Sequence, residues 1–302
     1  MKKYLLNILL FFGIVAVADF GFGLVCKYMV DNTHSGETAR INGILKKNHY
    51  DVMTMGSSRC VCHYDDQMMS ESLGLNAINA GFKGNGIILM YGRYHIIPKE
   101  KKPSILIYDL EPTFDVLAYD NDDKNRRYLS DLKIFYGEDG ISDIFNSVDY
   151  FEPLKMLSNL YRYNSDAFVL IRDFVRKEAV EYSFFLPTDK QYDISQKCGY
   201  EEIYEQDNLK LYYMEKLMLE TKADGVKMIV VASPKYGASS KKDLQPVYEL
   251  CLKHGVPFWD YYLDMQDTYW FCDNMHLNLK GSEAFSKKII KRLQTEILQN
   301  NI

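Results

Sequence analysis

The chain begins with two lysines and then turns apolar. From Leu5 to Val25 only Asn7 and Asp19 are strongly polar. A helix of about 20 residues crosses the hydrocarbon core of a bilayer, so this run predicts a membrane span. The lysines ahead of it predict a cytoplasmic N-terminus. On this pattern residues 1–29 are the anchor, and residues 30–302 form a body outside the cytoplasm, periplasmic in a two-membrane cell. A cleaved signal is the competing reading, because Ala16-Val17-Ala18 fits the small-x-small cleavage rule. Cleavage there would release a secreted protein. Residues 30–48 predict a polar stalk or approach helix.

Beyond the stalk the period changes. Short apolar runs bounded by turn residues occur at 51–56, 76–81, 104–110, 227–233 and 257–262. Such runs predict strands buried on both faces. Helical spacing lies between them, over Gly86–Ile97, Glu201–Ala223 and Lys241–His254, and again from Leu279. In the last helix Phe285, Ile289 and Leu293 recur every four residues on one face, and Asn278 stands where an N-cap belongs. The alternation predicts an α/β fold of three layers, with a doubly wound, parallel, five-stranded sheet. The rhythm breaks between Leu110 and Lys227. Residues 118–200, rich in charge, tyrosine and helical pattern, predict a mostly helical insertion after the third strand. Its expected place is over the strand ends, as a lid or partner surface.

Composition narrows the function. Of 302 residues 47% are hydrophobic, enough for one large core, and the formal charge of -5 with scattered basic residues excludes the footprint of a nucleic-acid binder. The abundance of tyrosine, 24 residues, suits surfaces that meet sugars or partners, although core packing accounts for any single ring more simply. Cys26, Cys60, Cys62, Cys198, Cys251 and Cys272 form no small-domain disulfide framework.

Ligands of an open α/β sheet gather beyond the carboxyl ends of its strands. The first strand ends at Gly56 and runs into Ser57-Ser58-Arg59; the segment Cys272-Asp273-Asn274-Met275-His276 follows the last. A serine becomes nucleophilic when a base takes its proton, and the base needs a third group to orient it. Asp273 and His276, three residues apart, allow one loop to carry both. His63 is read as a structural partner rather than a second base. Cys60, Cys62 and His63 with Cys272 and His276 form a rival constellation suited to zinc.

These blocks resemble the SGNH/GDSL hydrolase superfamily. The resemblance rests on Gly56-Ser57-Ser58 after the first strand, Gly81 after the second, and Asp273-x-x-His276 before the last helix. It covers residues 50–110 and 227–295. It implies Ser58 as nucleophile, His276 as base and Asp273 as its orienting carboxylate, with no cofactor. The Gly-Ser-Ser-Arg variant is similar to membrane-anchored members tied to surface polysaccharides, among them relatives of alginate O-acetyltransferases and of D-alanyl transfer proteins. The implied activity is ester hydrolysis or O-acyl transfer on an acylated glycan or small ester, with a partner protein of the cell envelope. The third block departs from the family pattern. Asp109 and Glu111 stand where an oxyanion-binding asparagine is usual. Backbone N–H groups of Ser58 and Gly81 are then the expected oxyanion donors, with Asn85 as a replacement side chain. Arg59 is expected to bind substrate or to pair with Asp109 or Glu111.

Overall fold

The computed structural model describes residues 1–118, 129–164, 166–176, 178, 183–195 and 205–298. Five parallel strands form one sheet: β1 (Val52–Gly56), β2 (Ala77–Asn79), β3 (Ile105–Asp109), β4 (Lys227–Ala232) and β5 (Phe258–Asp260). Their order is β2-β1-β3-β4-β5. Each lies inside the run expected for it.

Side chains alternate across a strand, and here the alternation sorts the core into two halves. Val52, Ile105, Ile107, Ile229 and Val231 face one way. Met53, Met55, Leu106, Tyr108, Met228 and Val230 face the other. Among the helices are α1 (Lys2–Asn32), α2 (Ser58–His63), α3 (Asp66–Leu73), α4 (Ile87–Ile96), α5 (Ile141–Val148), α6 (Asn159–Tyr163), α7 (Ala167–Val175), α8 (Asn208–Ala223), α9 (Gln245–His254) and α10 (Leu279–Leu293). Met69 of α3 and Phe285, Ile289 and Leu293 of α10 cover the first face. Helices α4, α8 and α9 cover the second through residues such as Ile87, Leu217 and Val247. Both faces are thereby buried, which is why the strands read as continuous apolar runs.

From β1 the chain steps to the edge strand β2, then returns to β3 and proceeds the other way to β4 and β5. The direction reverses between β1 and β3, and that reversal opens a crevice at their carboxyl ends. Both the Ser58 turn and the insertion start there.

Residues 30–48 are no stalk. Helix α1 continues to Asn32, and a short helix, Gly36–Ile41, follows. Ile41, Ile44 and Leu45 are buried in the main core. The polar residues of the stretch are used internally: Asn42 donates to the Val30 carbonyl at 2.6 Å, and Ser35 to that of Asp173 at 2.6 Å. Polar spacing resembled a stalk because these polar groups are satisfied by backbone rather than by water.

The described part of the insertion between β3 and β4 is helical in α5, α6 and α7. Residues 183–195 then run as an extended strap. Phe184 N–H reaches the Asn79 carbonyl at 3.0 Å and Leu186 N–H that of Val61 at 3.0 Å, while Tyr192 N–H reaches Phe271 O at 2.8 Å. Leu279 N–H returns to Thr188 O at 2.9 Å. The strap thus links the end of β2 and helix α2 to the loop before α10. The rest of the insertion expected at 118–200, and the start of the helix expected from Glu201, lie outside the described residues, as does Cys198.

Candidate active site

The turn after β1 is tight. Gly56 has φ of 152°, and a Cβ there would lie 2.7 Å from the Asp109 carbonyl oxygen, so only glycine fits without strain. Ser57 is extended, and its hydroxyl accepts the Arg59 N–H at 3.4 Å, capping α2. That leaves Ser58 at the first helical position, half-buried, with its hydroxyl turned to the loop before α10.

Ser58 Oγ lies 2.8 Å from His276 Nε2. On the other side of the ring, Nδ1 lies 2.8 Å from Asp273 Oδ2 and 3.0 Å from Oδ1. The carboxylate therefore accepts the Nδ1–H hydrogen bond, which fixes the proton on Nδ1 and leaves the Nε2 lone pair for the serine hydroxyl. Asp273 Oδ1 also accepts the N–H groups of Met275 and His276, each at 2.7 Å. Burial works to raise the Asp273 pKa, but His276 and these backbone donors outweigh it and hold the carboxyl below its usual range. The loop that carries both residues is closed by a bridge between Phe271 and Leu277 and by a 2.9 Å bond from Cys272 N–H to His276 O. Asn278 caps α10 at 3.0 Å from Gly281 N and holds the Tyr269 carbonyl at 2.8 Å.

Beneath the turn lies a buried polar cluster. Arg59 is fully buried; Nη1 donates to Glu111 Oε2 at 2.8 Å, and Nη2 donates to Ser233 Oγ at 2.9 Å, to Pro234 O at 3.3 Å and to Ser233 O. Burial opposes the charge on Glu111, but Arg59 and then Lys235 overcome it and bring its pKa below the usual value. Asp109 accepts the Tyr64 hydroxyl at 2.8 Å, and burial pushes its pKa up to about 6 against the pull of Arg59.

His63 joins this cluster to the loop. Its Nε2 accepts the Leu277 N–H at 3.0 Å, so the proton sits on Nδ1, which donates to Ser233 Oγ at 2.9 Å. Burial, with Arg59 and His276 nearby, pushes its pKa well down and keeps the ring neutral.

Of the two expectations for Arg59 the structure shows the pairing, and the donors expected at Gly81 and Asn85 are bonded within the chain. Arg59 makes the ion pair with Glu111 and has no exposed surface. Gly81 N–H donates to Asn79 Oδ1 at 3.0 Å. Asn85 is buried, its amide donating to Lys83 O at 3.1 Å and to Asp131 at 3.4 Å. Each of these donors has an internal acceptor because buried N–H groups are paired. Asn79, not singled out from sequence, organises the neighbourhood: its Nδ2 also holds the carbonyls of Cys60 and Tyr64 at 2.8 Å each. Its place at the end of β2 was the available signal. The zinc constellation disperses. Cys60 Sγ meets Thr54 Oγ1 at 3.4 Å and Cys62 Sγ meets Leu186 O at 3.6 Å, while both imidazoles are already bonded through both nitrogens. Among the described residues no cluster of three or more His, Cys, Asp or Glu is arranged to hold a metal.

A cleft of about 770 Å³ opens between Val61 of α2, the Gly81–Lys83 segment and the strap, lined by Phe82, Phe184 and Phe185 among others. The Phe82 and Phe184 rings meet edge to face at 4.5 Å between centroids.

No family model matches this chain, and no curated protein matches its sequence. Among solved structures, one similar to it is a GDSL-like lipase from Bacteroides thetaiotaomicron, at 12% identity and TM-score 0.38, covering 80% of this chain and 87% of that one. Another is a catalytic mutant of the acetylxylan esterase Axe2 from Geobacillus stearothermophilus, at 11% identity and TM-score 0.41, covering 81% of this chain and 94% of the other.

Proposed function

We propose that this chain is an SGNH-type serine esterase or O-acyltransferase, anchored by α1 and acting on an acylated glycan outside the cytoplasm. The observation that carries the reading is the unbroken relay from Ser58 Oγ through His276 to Asp273, 2.8 Å at each link. His276 Nε2 takes the Ser58 proton as Oγ attacks the ester carbonyl carbon. The tetrahedral intermediate collapses when the same nitrogen returns that proton to the departing alcohol, leaving an acyl-serine. Water or a sugar hydroxyl next gives its proton to His276 and attacks the acyl carbon, and the imidazolium restores the serine. The Ser58 N–H, in the first turn of α2, lacks an intrahelical acceptor and is the donor assigned to the oxyanion. The phenylalanine-lined cleft is the acceptor or sugar subsite in this reading. Exclusion of water by the 183–195 strap would favour transfer over hydrolysis.

Helix α1 supports membrane attachment: it is long and apolar enough to cross a bilayer by length and composition, with 6% of its most apolar stretch buried inside the fold. A body at residues 30–302, with its helical insertion, is then displayed outside the cytoplasm.

A second reading, an inactive SGNH-like scaffold or glycan-binding partner in a membrane assembly, is favoured by one observation: Gly81 N–H and the Asn85 amide are both already bonded within the chain. A fluorophosphonate probe decides between them. The full chain is expected to label at Ser58 and to cleave p-nitrophenyl acetate, faster when an acceptor glycan with free hydroxyls is added if transfer is its task. A folded protein that neither labels nor turns over esters is the scaffold.

Gly81 offers a geometric check. A Cβ there would lie 2.8 Å from Cys60 Cβ and 2.9 Å from Val61 N, so Gly81→Ala pushes on α2, which carries Ser58. A displacement near 1 Å can cost about 10²-fold in rate. That loss in kcat is expected together with about 1–3 kcal/mol of stability from overpacking, read by ester assay and thermal melting.

A further inference from the structure

The insertion carries an apolar surface that the catalytic reading does not use. Phe151, Leu154, Leu157, Leu160, Phe168 and Val175 are each at least 60% exposed. They lie on α6, on α7 and on the segment leading into α6. An uncovered surface of this kind on a water-bathed domain marks an interaction site.

What covers it is indicated by where α6 is tied down. Asp19, well inside the apolar run of α1, accepts the backbone N–H groups of Asn159 and Leu160 at 2.8 Å each and the Ser158 hydroxyl at 2.9 Å. The first turn of α6 is thus capped by a carboxylate of the anchor. Two further contacts hold the pair together. A Cβ on Gly23 would collide with the Asn159 side chain, so the two helices touch backbone to side chain. Phe22 packs against Tyr163 at 6.5 Å between centroids, and Tyr28 against Phe174 of α7 at 5.9 Å.

Depth follows from length. A hydrocarbon core of about 30 Å takes about 20 helical residues at 1.5 Å each. Counted from Tyr4, directly after the lysines, the span ends near Gly23. Asp19 then lies roughly 6 Å inside the hydrocarbon boundary, and the start of α6 lies at the same depth. Lifting α6 clear of the lipid would pull Tyr4, Leu5 and Leu6, all at least 60% exposed, into water at the other end. The charges near the surface suit an interface: Lys155 is paired with Glu152 at 2.7 Å and Arg172 with Asp173 at 2.7 Å, and long basic side chains can reach the headgroups. The cap also explains how an aspartate is tolerated in an otherwise apolar span, since its oxygens are satisfied by α6 rather than by water.

We infer that α6, α7 and the segment before α6 are seated in the leaflet at the carboxyl end of α1, with phospholipid acyl chains as the occupant of this surface. The inference rests on the reading of α1 as an uncleaved span. The body is then held at the membrane by a hairpin-like wedge as well as by a single helix, which fixes its orientation and restricts the acyl donors or glycans that can reach the site.

The test uses the full chain in phosphatidylcholine nanodiscs with and without brominated acyl chains. Tryptophan is introduced singly as Leu157→Trp and Phe168→Trp, with Phe12→Trp marking α1 and Leu252→Trp marking an exposed position on α9, over the constant background of Trp259 and Trp270. Bromolipid is expected to remove most of the added emission at positions 157 and 168, as at 12, and to leave that at 252. Quenching at 12 while 157 and 168 are quenched by iodide, as 252 is, overturns the inference and leaves the anchor standing. Quenching at 12 with 157 and 168 shielded from both agents assigns the surface to a protein partner and also overturns it. Loss of bromolipid quenching at 12 itself removes the anchor, and the inference with it.

Discussion

Ser58→Ala is expected to abolish fluorophosphonate labelling and to lower ester turnover by about 10³-fold or more, with the fold unchanged. The side chain is half-buried and its hydroxyl bonds to His276. Alanine in a first helical turn costs little, so the melting temperature is expected to stay close to that of the parent. His276→Ala is expected to match the loss, and the double variant to be no worse than either, because residues that act as a unit are not additive. Asp273→Asn tests the orienting role separately. An amide would still accept the N–H groups of Met275 and His276, but it favours the wrong imidazole tautomer, at a cost of about 10⁴-fold in known triads. Asp273 is held below the usual carboxylate range, so it stays ionised in any assay near neutrality and adds no limb to the rate profile there. Turnover by purified Ser58→Ala at the parental rate would sink the proposal.

The parts of this molecule legible in the sequence were those whose signal is local. Each β-strand is a short apolar run because both faces of the sheet are covered, and that pattern survives without knowledge of neighbours. Asn278 and the α10 spacing were legible for the same reason. Ser58, Asp273 and His276 were legible because tight turns at strand ends demand particular residues at short spacing. What escaped depends on contacts distant in sequence. Arg59 could have met a substrate or a carboxylate, and only the approach of Glu111, 52 residues away, decides it. The commitment of Gly81 N–H depends on which way the Asn79 amide turns. Residues 30–48 look like a solvated stretch because the carbonyls that take up their polar side chains, Val30 O for Asn42 and Asp173 O for Ser35, are placed only by the fold. Asp19 stands as a lone carboxylate in an apolar run, and its partners, in the first turn of α6, lie about 140 residues away.

The buried pair under the nucleophile is expected to dominate stability. Glu111→Gln leaves the Arg59 guanidinium in a site with no exposed surface and no carboxylate directly on Nη1. Breaking a buried pair in this way costs about 3–5 kcal/mol, or roughly 5–9 °C in melting temperature at the entropy of a domain this large. Replacing both partners, as Arg59→Met with Glu111→Leu, is expected to recover part of the loss, since it removes the stranded charge. The recovery is incomplete because the carbonyls of Ser233 and Pro234 lose their donor. The pH dependence carries a sign that separates the pair from general packing. The folded-state pKa of Glu111 lies below its ordinary value. Its contribution is therefore fully present above about pH 4.3, the unfolded value, and is lost as pH falls through the depressed folded value. The stability gap between parent and Glu111→Gln is expected to be flat only above about pH 7, clear of the Asp109 titration near 6, and to be lost below about 4.3 as Glu111 itself protonates. Chemical denaturation across that range measures it; a gap that does not narrow in acid would assign the loss to packing. Because Arg59 directly follows Ser58 in α2, the same substitution is expected to loosen the nucleophile's turn, so turnover falls at temperatures where the fold still holds.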